Sequence, residues 1–81
     1  MTDLIHAPTG TPLRVVEIAG GQGARRRLFA LGIHPGEVIV FTTRGIFGGP
    51  VLIRQVGSGV TVAVGRGIAG KILVDASGEP S

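Results

Sequence analysis

Between Leu13 and Asp75 the apolar residues come in short runs, several of them alternating with polar residues, and glycine or proline separates one run from the next. Leu13–Ile18 (LRVVEI), Glu37–Arg44 (EVIVFTTR), Val51–Val56 (VLIRQV), Val60–Val64 (VTVAV) and Lys71–Asp75 (KILVD) are rich in β-branched residues and predict five strands. The alternation in the second run points Phe41 inward. His34-Pro35-Gly36 and Gly57-Ser58-Gly59 read as turns, Gly45–Pro50 (GIFGGP) as a hairpin connection, and Gly65–Gly70 (GRGIAG) as a tight bend or single helical turn. Ala24–Leu31 (ARRRLFAL) alone has a helix's composition, and Gly32 stands where a helix stops. At 100° per residue Ala24, Leu28 and Leu31 share one face, Arg25, Arg26 and Phe29 point away from it, and Ile33 covers the helix end.

Five strands with one α-helix between the first two predict a mainly β fold, a small five-stranded barrel, because closure removes exposed strand edges. The reading divides the chain into a loose arm at 1–12, one domain at 13–75 and a flexible tail at 76–81. Composition agrees: of 81 residues, Val and Ile supply 18 and glycine 15, which suits many strands and tight turns. Apolar residues at 43% against 16% charged exclude a mostly disordered chain. No stretch approaches the ~20 apolar residues that cross a bilayer, and Met1–Leu4 has no basic leader, so a cytoplasmic location without membrane insertion is expected. The absence of cysteine excludes disulfides, thiol nucleophiles and thiolate metal sites.

The candidate chemistry is sparse. The acids Asp3, Glu17, Glu37, Asp75 and Glu79 form no convincing pair, and Ser58, Ser77 and Ser81 sit in a turn and a tail without a nucleophile elbow, so no enzyme is expected. His34 and Glu37 flank the Pro-Gly turn and could share one ion, but a metal site needs three or four convergent ligands, and a turn histidine is ordinarily just solvated. Gly20-Gly21-Gln22-Gly23 leads into the helix without the Lys-Ser or Lys-Thr of a phosphate loop. No cofactor is expected. The net charge of +3 rests on seven arginines against one lysine. Arg25 and Arg26 beside Phe29 form either a solvated helix face or a protein-docking surface, since Arg and Phe both anchor interfaces. Arg25 precedes Phe29 by four residues, close enough to lie along its ring, and the hairpin tip Ile46-Phe47 adds a second apolar group to the candidate surface.

Three separated segments also resemble one family. Arg27-Leu28-Phe29-Ala30-Leu31-Gly32-Ile33-His34-Pro35-Gly36 resembles the R-L-x-x-L-G-[IL]-x-P-G signature of FeoA-type domains. Gly48-Gly49-Pro50-Val51 resembles that family's G-[GD]-P hairpin, and Ala63–Arg66 with Ala69–Val74 its closing A-L-x-R…A-x-x-I-x-V segment. Gly67 and Gly70 depart from the acidic or polar residues usual in the closing turn, and Ile46 from a common proline. The resemblance implies an SH3-like barrel and a small cytosolic accessory of ferrous-iron uptake that contacts the GTPase transporter FeoB. Two alternatives stay open. One is a nucleic-acid-binding barrel using Arg25, Arg26, Arg27, Arg44, Arg54 and Arg66, although the strands offer no aromatic for base stacking apart from Phe41, which the alternation buries. The other is a metal-sensing domain like the C-terminal domain of DtxR-type repressors.

Overall fold

The structure is a computed structural model and describes residues 1–43 and 49–77. The strands are β1 (Thr2–Asp3), β2 (Pro12–Ile18), β3 (Val38–Thr43), β4 (Val51–Gln55), β5 (Thr61–Val64) and β6 (Ile72–Ala76). Helix α1 (Gln22–Ala30) links β2 to β3, and the single turn α2 (Arg66–Ala69) links β5 to β6. The strands form one antiparallel sheet of six in the order β1-β6-β2-β3-β4-β5. The fold is therefore mainly β with one principal helix, as the pattern predicts, but it has one strand more than the five expected, and among the described residues the sheet does not close into a barrel: β1 and β5 are its two ends.

The extra strand comes from the segment expected to be a loose arm. Thr2 and Asp3 pair with Val74 and Leu73 of β6, and Leu4 and Ala7 are fully buried. Leu4 contributes an apolar side chain that the core covers, and β6 offers an edge for the backbone beside it. Gly10 N–H also donates to the Phe41 carbonyl at 3.0 Å. At the other end β6 runs to Ala76, inside the expected tail, and Ser77 N–H donates to the Pro12 carbonyl at 3.3 Å. Residues 78–81 lie outside the described part.

Asp3 caps the 3-10 turn Leu4–His6, accepting from His6 N–H at 3.1 Å and standing 2.9 Å from the His6 ring Nδ1. The ring hydrogen bond holds its carboxyl below the ordinary 3.8. A folded-state pKa below the unfolded one adds stability that is present above about pH 4 and lost as pH falls through the folded value. The pair is solvent-exposed, so the effect is small. As pH falls below about 4, the melting temperature should fall more steeply for the parent than for Asp3→Asn. Equal slopes would contradict the assignment.

The core is one cluster in which Leu13, Val15 and Ile18 of β2, Ile39 and Phe41 of β3, Ile53 of β4 and Ile72 and Val74 of β6 meet Leu28 and Ile33. Strict alternation along β2 does not explain that set. A β-bulge between Val15 and Glu17 inserts one residue against β6, so Leu13, Val15 and Ile18 face inward while Val16 and Glu17 are both exposed.

Candidate docking groove

Helix α1 ends in a Schellman motif. Ile33 N–H donates to the Leu28 carbonyl and Gly32 N–H to the Phe29 carbonyl, both at 2.9 Å, and Gly32 sits at φ +86°. Leu28 and Ile33 are fully buried and supply the hydrophobic contact of that motif. A second fastening comes from across the sheet. Gln55, buried to 7% exposure on β4, donates its side-chain amide to the Leu31 carbonyl and accepts from Ser58 Oγ at 3.1 Å.

This anchoring fixes which helix residues face out. Phe29 is 53% exposed, and Arg25 and Arg26 are exposed, as the helical phase predicts. Leu31 departs from the expectation of burial at 37% exposed. It is the C-cap residue, one past the last helical position, so the 100° extrapolation no longer applies and Ile33 takes the core place. Arg25 does not lie along the Phe29 ring as the spacing suggests; its Nε donates to the Ile18 carbonyl at 3.2 Å and ties α1 to the end of β2. The ring packed against Phe29 belongs to His34, with centroids 6.1 Å apart at 69°.

Between α1 and β2 lies an open groove of about 440 Å³, lined by Met1, Val16, Glu17, Ile18, Arg25, Phe29 and Pro35. Of these, Arg25 and Phe29 are predicted from sequence. Val16 and Pro35 are not; Val16 faces the groove because of the bulge, and its only sequence signal is the Val-Val pair that breaks alternation ahead of Glu17. Ile46 and Phe47 of the expected hairpin tip lie outside the described residues, as does Arg44.

The structure brings His34 and Glu37 together, Nε2 to Oε2 at 3.4 Å, across the Pro-Gly turn. His34 Nδ1 lies 3.2 Å from the Pro35 carbonyl. Among the described residues no third His, Cys, Asp or Glu joins them as a metal-binding group. The turn between them is closed by the Glu37 N–H, which donates to the His34 carbonyl at 3.0 Å. Among the described residues no helix is long and apolar enough to cross a membrane.

A small SH3-like domain with an apolar groove beside an arginine-bearing helix defines a class of compact β modules. The comparisons narrow it. The FeoA domain model matches residues 2–76, and the chain belongs to the FeoA family. A Methanocaldococcus jannaschii protein named "Putative Fe(2+) transport protein A" is 37% identical over 75 residues, covering 93% of this chain and 87% of that one. The crystal structure of an iron uptake regulatory protein (FeoA) superposes with a TM-score of 0.77 at 34% identity, over 91% of this chain and 93% of that one. A manganese-dependent transcriptional repressor with bound manganese shares the fold, with a TM-score of 0.81 at 24% identity, over 90% of this chain but 35% of its own length.

Proposed function

We propose that this chain is a non-enzymatic accessory of ferrous-iron transport that works by binding the cytoplasmic side of a FeoB-type transporter. Membership of the FeoA family, matched over residues 2–76, supports the process. The observation that carries the mode of action is the exposed Phe29 lining a mainly apolar groove together with Arg25, with Arg26 exposed on the same helix. Aromatic and arginine side chains beside an apolar hollow are what interface anchors are made of. A module without chemistry of its own influences a transporter only through differential affinity, binding one of its states more tightly than another.

The double substitution Phe29→Ala with Arg26→Glu is expected to leave the melting temperature nearly unchanged, because both side chains are exposed, and to weaken binding to FeoB about tenfold or more. The charge reversal acts partly on association rate, so that part of the loss shrinks at high salt. Biolayer interferometry on the purified transporter, at low and high salt, measures both effects. A well-folded variant that binds as tightly as the parent rules out this face as the docking site.

A further inference from the structure

The sheet has two ends among the described residues, β1, which is two residues long, and β5. The hairpin before β5 fixes which backbone groups face outward. Gln55 N–H donates to the Val60 carbonyl at 2.8 Å, and Gly59, at φ +77°, donates its N–H to the Gln55 carbonyl at 2.7 Å. Hydrogen-bonded and non-bonded pairs alternate along an antiparallel ladder. Gln55–Val60 is a bonded pair, so Ile53–Val62 and Val51–Val64 are bonded too, while Thr61 and Ala63 turn their N–H and C=O groups away from β4.

Natural sheets blunt such an edge with lysine, proline or a bulge. This one carries none of them. Val56–Gly65 contains no charged residue and no proline, and β5 pairs with β4 without a register shift. Val60 at the start of the edge is 51% exposed, Leu52 beside Ala63 is 38% exposed, and Thr61 and Ala63 are exposed.

We propose that β5 is a self-pairing edge: it adds antiparallel to β5 of a second copy of this chain, about a two-fold axis through Val62. In that register Thr61 faces Ala63 of the other copy, twice over, and each pair exchanges both N–H···O bonds. Val62 meets its own counterpart across the axis, and the exposed Val60 lies opposite Val64. The edge is its own complement, since the residues that present free donors and acceptors fall symmetrically about Val62. The segment itself carries no charged residue to oppose the approach of its own copy. One pair of short strands makes a contact below about 1,200 Å², so the dimer is weak and reversible.

Sedimentation equilibrium of the full chain from micromolar to millimolar concentration tests this, and a shift from monomer to dimer is expected. Thr61→Lys with Ala63→Lys places like charges opposite each other at both cross-strand pairs and weakens the dimer about tenfold. Thr61→Lys with Ala63→Glu places opposite charges at the same pairs and restores it, which only the Thr61–Ala63 register does. Melting temperatures check that each variant folds. Should either fail to fold, amide hydrogen exchange on the parent replaces it: protection at Thr61 and Ala63 rises with protein concentration. A parent that stays monomeric, a dimer indifferent to the double lysine substitution, or protection independent of concentration overturns the proposal. Pairing of β5 with a foreign strand in a chain that never self-associates overturns it as well.

Discussion

Leu28→Ala is expected to lower the stability of this domain by about 2–5 kcal/mol, the range for a leucine removed from a closed core. Leu28 is fully buried, and its backbone carbonyl also receives the Ile33 N–H that ends the helix. The cavity opens under the helix end, against Ile33, where the Schellman bonds and Gln55 keep the backbone from collapsing inward. A domain of this size holds only about 0.05–0.15 kcal/mol per residue, so the loss takes a large part of the total. Leu31→Ala is the control. With 37% of its surface exposed and no place in the core cluster, it should cost less than about 1 kcal/mol. Chemical denaturation midpoints separate the two cases, and equal midpoints for both variants would show that the core is not organised as described.

Gly32→Val should be nearly as damaging, for two reasons that add. The backbone at φ +86° is in the left-handed region, where a side chain costs about 1–2 kcal/mol, and a β-branched one lies at the upper end. A Cβ at this position also comes within 3.1 Å of both Oε1 and Nε2 of Gln55. Gln55 is buried and bonded to Leu31 and Ser58, so it moves only by breaking those bonds, at about 1–3 kcal/mol for a buried polar group left unpaired. Gly32→Ala meets both penalties in milder form and should fall between the parent and Gly32→Val in denaturant midpoint. If Gly32→Val melts with the parent, the left-handed cap is not required. The consequence reaches the groove, because the cap and Gln55 together hold the end of α1 on which Phe29 stands.

The local chemistry of this chain was legible without a structure, because it depends on residues a few positions apart. Leu28, Gly32 and Ile33 have the spacing of a glycine-capped helix end, and the structure places all three in those roles. The outward direction of Arg25, Arg26 and Phe29 follows from helical phase alone. The FeoA signature is carried by the same residues, so family and fold class were readable together.

What lay beyond reach depends on which distant segment arrives alongside. Thr2–Asp3 is too short to show as a strand; it becomes one because β6 presents an open edge and Leu4 finds room in the core. Val16 looks like another inward residue of an apolar run until the bulge against β6 turns it outward and makes it one wall of the groove. Gln55 looks like an ordinary polar strand residue. Only packing beneath the end of α1 buries it and points its amide at Leu31. Short-range spacing fixes a helix, its cap and its exposed face, whereas strand registry and partner choice are set by non-local contacts, and in this protein those contacts built the groove.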